Sequence, residues 1–221
     1  MIKLVSIIKR RADLQPEEFQ DYWRTTHADL VRKLPGLRRY VQCHTLLGGY
    51  RKGEPAADGV AELWFDNSDA LRALHGRVAL QKVEDDQQAF IEPGEHRQLF
   101  IMEHVIKDGP THAEGVKNIE LVKRKPDMAI DDFQHHWRVV HGPLGAAIPT
   151  VSRYVQNHTT RAAYDRHEPP PLDGLALTWF RDIDAMRESA RTHEYAVTRA
   201  DESNFVTEPL DFIITREHVI V

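Results

Sequence analysis

The sequence predicts an α+β fold built from two tandem repeats, each with the element order βαββαβ. Three observations carry this prediction. The chain aligns with itself at an offset of about 114 residues, so that WRTTH (23–27) returns as WRVVH (137–141). Each copy contains β-branched and apolar runs typical of strands. Each also contains apolar residues spaced three and four apart, as in amphipathic helices. We expect copy 1 over residues 1–107, a linker over 108–115 and copy 2 over 116–221.

The elements of copy 1 follow in order, and copy 2 repeats them. IKLVSIIKR predicts a first strand, and PEEFQDYWRTTHADLVRKL predicts a helix whose first turn suits Pro16. RRYVQCHTLL and GVAELWF predict two strands, a second helical region covers about 68–90, and RQLFIMEHVI predicts the last strand. This order is the ferredoxin-like arrangement, an antiparallel sheet with helices on one face. Two such sheets in one chain can pack their open faces together into a barrel.

Composition excludes several classes of function. The chain has 221 residues, a net charge of −5 and one cysteine, Cys43. The absence of a basic stripe argues against a nucleic-acid partner, and no apolar run reaches the roughly 18–20 residues of a membrane span. A single cysteine forms no internal disulfide and fits a cytoplasmic location. Neither a metal-ligand motif nor a phosphate loop occurs, so we expect no metal and no nucleotide cofactor.

Several motifs together resemble those of a known family. The run Phe-x-x-x-Trp-x-x-x-His, then RYVQ, DG-x-A-x-x-W-F and a closing EHV, occurs in both copies. It resembles the EthD family of dimeric α+β barrels, here as two tandem EthD-like domains. Copy 2 keeps the family's HGPL, whereas copy 1 has Ala28 and Asp29 where Gly and Pro are usual. The resemblance implies small-molecule chemistry. The founding association is with breakdown of fuel ethers, and related barrels include lactone isomerases, polyketide cyclases, decarboxylases and cofactor-free monooxygenases.

Two histidines are the candidate catalytic residues. His27 and His141 each follow a Trp by four residues, which places them in the apolar stripe of the helix, facing the sheet. Histidine titrates near neutrality and is the usual general acid or base. In copy 2, Gly142 before Pro143 predicts that the helix ends or kinks just past His141. The alternative is a structural histidine that bonds a backbone carbonyl at the bend.

The second strand of each copy carries a polar face. Strand alternation puts Tyr40 and His44 on one face, with Tyr154 and His158 as their twins in copy 2. Such a face could line a pocket and hold a carbonyl or phenol. The alternative is a partly solvent-exposed face near a sheet edge.

Further candidate binding residues are carboxylates and tryptophans. Glu62 lies on the third strand of copy 1, and Glu120 lies on the first strand of copy 2. A carboxylate inside a barrel is costly unless it is paired or protonated, and the alternative is a simple pair with Lys or Arg. Trp23 and Trp137 are expected to form core or pocket wall.

Together these features predict a cofactor-independent enzyme of the isomerase, cyclase, decarboxylase or lyase type, with a monooxygenase as a variant. It would act on a small aromatic or carbonyl compound in degradation or secondary metabolism. A helix histidine would move the proton, and the tyrosine and histidine of the second strand would hold the oxyanion. The alternative is a non-catalytic accessory protein of a catabolic pathway that binds a small molecule or haem, with a histidine as axial ligand. We also expect the fused pair to form a homodimer.

Overall fold

The computed structural model describes residues 1–221, and it confirms the predicted α+β fold. Its hydrogen-bonded strand order, β1-β3-β2-β8-β5-β7-β6-β4, closes into a barrel. Within each copy, the first strand pairs antiparallel with the third, and the third pairs antiparallel with the second. The eight strands are β1 (Ile2–Arg10), β2 (Leu37–Thr45), β3 (Gly59–Phe65), β4 (Ile91–Lys107), β5 (Val116–Val122), β6 (Val151–Thr159), β7 (Gly174–Phe180) and β8 (Asp211–Val219).

The helices also repeat between the copies. Helix α1 consists of Pro16–Tyr22, a π-helical segment Trp23–His27 and Ala28–Val31, which follow one another without a break. Its twin α4 consists of Ile130–His135, a π-helical segment His136–His141 and Gly142–Ala147. The remaining α-helices are α2 (Ser68–Arg72), α3 (Val78–Gln87), α5 (Arg161–Tyr164), α6 (Ile183–Ser189) and α7 (His193–Glu202), and Leu47–Lys52 forms a 3₁₀ helix. None of them combines the length and apolar content that a bilayer crossing requires.

The chain divides into two compact units, and each unit contains the end of the other copy's last strand. Unit 1 contains 1–101 and 217–221, and unit 2 contains 102–216. In unit 1 the backbone of Tyr40 accepts a hydrogen bond from Ile220 N at 2.8 Å and donates one to Val221 O at 3.1 Å. The C-terminal residues of the chain therefore lie beside β2 of unit 1, although they follow copy 2 in sequence.

In each unit the histidine helix, which is α1 with His27 or α4 with His141, packs on the sheet through a tryptophan. Trp23 is fully buried and lies against Gly59, where an added Cβ would come within 2.3 Å of the indole. Gly174 stands in the same relation to Trp137 in unit 2, at 2.7 Å. The glycine of the DG-x-A-x-x-W-F motif is therefore needed because only a residue without a side chain leaves room for the ring.

The π-helical segments correct the expectation that α4 ends or kinks past His141. The helix continues through Pro143 to Ala147, and the Gly142 N–H donates to the carbonyl of Trp137, five residues back. The Ala28 N–H donates in the same way to the carbonyl of Trp23, although copy 1 has no proline here. The wide turn is therefore not a consequence of Pro143.

A buried glutamine explains the wide turn better. Gln42 of β2 donates its side-chain N–H to the Trp23 carbonyl at 2.8 Å, and Gln156 of β6 does the same to Trp137 at 2.7 Å. A side chain that enters the hydrogen-bond ladder of a helix is a known cause of local distortion. Single-turn π-bulges also occur frequently at functional sites. Each of these segments ends on a candidate histidine.

Candidate active site

In unit 1, His27 forms a dyad with a carboxylate of the second helical region. The ring is 4% exposed, and its Nδ1 lies 2.7 Å from Oδ2 of Asp86 on α3. The hydroxyl of Tyr22 donates to Oδ1 of the same carboxylate at 2.7 Å. The ring of Phe90 packs against the imidazole, with 4.7 Å between ring centroids. The histidine is thus held on one side by an anion and on the other by an aromatic wall.

Unit 2 repeats this arrangement with one substitution. Nδ1 of His141 lies 3.1 Å from Oδ2 of Asp201 on α7, and the Phe205 ring lies 4.8 Å away between centroids. His136 takes the place of Tyr22, and its Nε2 lies 3.1 Å from each carboxylate oxygen. The dyad therefore occurs in both copies, while the third group differs.

Electrostatics favours the neutral form of both candidate histidines. Burial lowers the pKa of His27 and of His141, and this effect outweighs the neighbouring carboxylate, which raises the pKa. In a neutral ring that bonds to a carboxylate through Nδ1, the Nδ1–H donates and the lone pair lies on Nε2. The hydrogen bond to Asp86 and burial raise the pKa of Tyr22 to about 12, so this hydroxyl stays protonated. Each dyad therefore presents a base at Nε2.

The polar face of β2 packs against α1 and is buried, which contradicts the alternative of a solvent-exposed edge. The Trp23 Nε1–H donates to the Tyr40 hydroxyl at 3.1 Å, and Gln42 also donates to that hydroxyl at 2.8 Å. Nε2 of His44 lies 2.9 Å from Oε1 of Gln42, and its ring stacks on Trp23 at 4.5 Å. The same network recurs in unit 2 among Trp137, Tyr154, Gln156 and His158.

This network gives the second-strand residues partners inside the protein. Burial, followed by a neighbouring imidazole, lowers the pKa of His44 and of His158 to about 3, so both stay neutral. The neighbouring rings are His218 and His104, with 4.5 and 4.7 Å between centroids. Burial raises the pKa of Tyr154. These residues join the helix to the sheet, and the oxyanion role expected for them stays a prediction.

The two candidate glutamates lie on opposite faces of their sheets. Glu62 lies on the face of Cys43, away from α1, and pairs with the buried Lys3 at 2.6 Å. Glu120 faces the helices instead, where the Arg199 guanidinium of α7 lies 3.5 Å from it. Burial raises the pKa of Glu120. Only Glu120 therefore lies on the sheet face that also carries the dyad of its unit.

Two kinds of group could hold a metal or cofactor. Cys43, Glu62 and Glu217 bring ligand-type atoms within 4.8 Å of one another, but the Lys3 ammonium already supplies positive charge to Glu62. The dyads offer a different option, since a histidine that ligates a metal usually donates its other N–H to a carboxylate.

Neither dyad carboxylate is among the residues predicted from the sequence. Asp86 lies in the acidic stretch EDD (84–86) and Asp201 in ADE (200–202), and both resemble the solvated face of a helix. A signal existed, because each Asp precedes a repeated phenylalanine by four residues, Phe90 in copy 1 and Phe205 in copy 2. Comparison of the copies along the second helix finds this pair.

Comparison with solved structures supports the fold. An anthrone oxidase-like protein superposes with a TM-score of 0.65 at 7% identity, covering 99% of this chain and 93% of that one. A candidate monooxygenase from Lactobacillus acidophilus gives 0.59 at 12%, covering 99% and 94%. A mutant chlorite dismutase from Candidatus Nitrospira defluvii gives 0.52 at 9%, covering 97% and 91%. At these identities the likeness establishes a shared fold. No curated protein matches the sequence.

The family model confirms the resemblance that the motifs indicated. The EthD domain matches twice, over residues 11–94 and 125–209. The two matches contain the histidine helix, both middle strands and the dyad carboxylate of each copy. The chain belongs to the EthD family, with two EthD domains in tandem.

Proposed function

We propose that this protein is a small-molecule enzyme in which His27 and His141 transfer protons without a nucleotide cofactor. The observation that carries the proposal is the pair of buried His–Asp dyads, His27–Asp86 and His141–Asp201, repeated in both domains. A carboxylate that fixes the tautomer of a neutral histidine is a recurrent device for a general base. The substrate we infer is a small aromatic or carbonyl compound with an acidified C–H or O–H.

The proposed step starts at Nε2 of the neutral histidine. This nitrogen accepts a proton from the substrate, and the resulting imidazolium is stabilised by the adjacent carboxylate. The substrate is left as an enolate or phenolate. Return of the proton to another atom completes an isomerisation. Reaction of the anion with O2 leads to oxidation, which for anthrone yields anthraquinone and water. The names of the structural neighbours, a candidate monooxygenase and an anthrone oxidase-like protein, favour the oxidative outcome.

Deuterium exchange tests proton transfer separately from oxidation. Anthrone and a panel of cyclic diketones and phenols are incubated with the protein in D2O under nitrogen, and loss of the acidic C–H signal is followed by NMR. Oxygen uptake is measured in parallel. We expect faster exchange than in buffer for at least one compound. Each single variant, His27→Ala or His141→Ala, should lose part of this rate. The double variant should lose about 10²-fold or more.

The control is His112→Ala, an exposed histidine in the segment between the two matched domains. It should exchange the substrate as fast as the unmodified protein. The proposal is wrong if no compound in the panel is accelerated, or if the double variant keeps the full rate while remaining folded by circular dichroism.

A second candidate function is haem or metal binding, and the same dyads favour it. A carboxylate that accepts the Nδ1–H is the usual outer partner of a ligating histidine, so Nε2 of His27 or His141 would hold the iron or metal. Bound haem would supply redox chemistry at its iron. Titration with haemin distinguishes the cases: a Soret band that shifts with the unmodified protein but not with the double variant supports binding, and an unchanged spectrum rejects it.

The homodimer stays a prediction, which light scattering would test.

A further inference from the structure

Unit 2 contains a carboxyl pair beside its dyad for which the proposed function has no role. Nη1 of Arg199 lies 2.8 Å from Oε1 of Glu202 and 3.5 Å from Oε1 of Glu120. Because one nitrogen contacts both carboxyl groups, the two glutamates lie close together. Glu202 is 2% exposed, and its second oxygen, Oε2, is buried without a hydrogen-bond partner. A buried carboxylate oxygen without a donor is costly, whereas a protonated oxygen is itself a donor.

The surroundings of Glu202 favour the protonated form. Burial is the largest cause, and the negative charge of Glu120 adds to it, against the lowering effect of Arg199; together they raise the pKa of Glu202 to about 8. Glu208 and Asp201 add further negative charge. The other titratable groups around this cluster are His141 and His136 of α4 and Tyr154 of β6.

The cluster also belongs electrostatically to the His141 site. The charge of Arg199 disfavours protonation of His141, and Glu120 and Glu202 lie close enough to Tyr154 to raise its pKa when they are ionised. Asp201 of the dyad directly precedes Glu202 on α7. One helix terminus therefore supplies the anion that orients the base and a carboxyl group that holds a proton.

Copy 1 lacks this carboxyl pair. With the dyads and the phenylalanines aligned, Gln87 stands at the position of Glu202 and Glu84 at that of Arg199. On the first strand, Ser6 stands at the position of Glu120 and accepts a hydrogen bond from Gln98 at 3.3 Å. Only unit 2 thus combines the base with a buried carboxylic acid.

We propose that Glu202 is a catalytic general acid of the unit 2 site, paired with His141 as base, and that this site takes a neutral carbonyl compound. This inference rests on the proposed function. His141 accepts a proton from a carbon that the carbonyl acidifies, either the adjacent carbon or, in anthrone, the methylene carbon across the central ring. The C–H electron pair shifts through the conjugated system to form the enol, and Glu202 gives its proton to the carbonyl oxygen. The product is the neutral enol. Solvent then takes the proton from His141 and returns one to Glu202. A substrate carboxylate is disfavoured beside Glu120 and Asp201.

The test uses the full chain with His27→Ala, so that only the unit 2 site exchanges the anthrone proton. Addition of Glu202→Gln, which places the residue of copy 1 there, should lower the exchange rate about 10²-fold. In the presence of Glu202, the rate should fall as pH rises through about 8, and this decline should be absent in Glu202→Gln. Glu188→Gln, an exposed change on α6, is the matched control and should alter neither the exchange rate nor its decline with rising pH.

A second measurement needs no substrate. With the glutamate carboxyl carbons labelled with ¹³C, the resonance that disappears in Glu202→Gln should titrate above pH 7. A midpoint below pH 7, or an unchanged rate in Glu202→Gln, overturns the inference. If His141→Ala also leaves exchange unchanged in the His27→Ala chain, the proposed function fails as well. If His141→Ala lowers the exchange rate but Glu202→Gln does not, the role of His141 as base is supported and the role of Glu202 as acid is wrong.

Discussion

At each candidate histidine, a carboxylate from the second helical region selects the nitrogen that can act as base. Asp86 and Asp201 bond Nδ1, so the proposed proton transfer is assigned to Nε2. Burial opposes the charged ring more strongly than the carboxylate favours it, and the pKa of each histidine lies below its ordinary value. A lowered pKa gives a weaker base that is nevertheless unprotonated over a wider range of pH.

This balance predicts the pH dependence of proton transfer. The rate should remain high as pH falls through 6.5, the ordinary pKa of histidine, and decline only in more acidic solution. In Asp201→Asn, studied in the His27→Ala chain, loss of the negative charge lowers the pKa of His141 further. The acidic limb of the rate profile should therefore move to lower pH, while the rate at pH 7 falls about 10²-fold. A limb that moves to higher pH would contradict this assignment. Asp184→Asn, an exposed change on α6, is the control.

At the scale of the element, the π-helical segment is tied to the sheet by one glutamine in each copy. Gln156 is fully buried; its amide donates to Trp137 and Tyr154, and its oxygen lies 3.0 Å from Nε2 of His158. The turn that ends on His141 is therefore shaped by a side chain from the neighbouring strand. This contact connects helix packing with the position of His141.

Gln156→Leu should destabilise unit 2 because it leaves buried groups without partners. The expected loss in the free energy of unfolding is about 2–3 kcal/mol, given a cost of about 1–3 kcal/mol for a buried unsatisfied group. Urea unfolding measures it, and faster hydrogen exchange at the Gly142 amide would locate the effect in the π-helical segment. Gln88→Leu, an exposed change, is expected to alter stability by less than about 0.5 kcal/mol. Equal losses in the two variants would contradict a specific role for Gln156.

Sequence periodicity predicts the elements well, because burial of one helix stripe and one strand face determines it. It predicts the repeat, the βαββαβ order and the inward position of His27 and His141. Periodicity does not predict the wide turn, since the hydrogen bond from Gln42 or Gln156 to a helix carbonyl is a tertiary contact. Asp86 and Asp201 are missed for a related reason: acidic residues on a helix resemble a solvated face until the partner histidine is placed.

At the scale of the whole molecule, each compact unit is completed by the end of the other copy's last strand. β4 begins in unit 1 and ends in unit 2, and β8 begins in unit 2 and ends in unit 1. The helices and strands of each copy are local in sequence, but these strand ends are not. Periodicity identifies the strands, whereas the pairing of the C-terminal end of the chain depends on a partner 180 residues away, as with Tyr40 and Ile220.

Removal of residues 217–221 should therefore destabilise unit 1, not the unit that precedes them in sequence. The truncated chain loses three backbone hydrogen bonds with Tyr40 and the packing of His218 on His44. At about 0.5–1.5 kcal/mol for each hydrogen bond, the expected loss is about 2 kcal/mol or more. Hydrogen exchange followed by mass spectrometry should show the increase in β2. An increase confined to β6 and β7 would contradict the exchange of strand ends. Removal of Met1, an exposed residue, is the control.

The exchanged strand ends also bear on how a duplicated gene can change. A mutation that removes either copy leaves the other with an incomplete sheet, so selection on one copy maintains the fold of both. Copy 1 can then drift in chemistry while it is retained for structure. The differences around the two dyads, Ser6 against Glu120 and Gln87 against Glu202, are the kind of divergence that such retention permits.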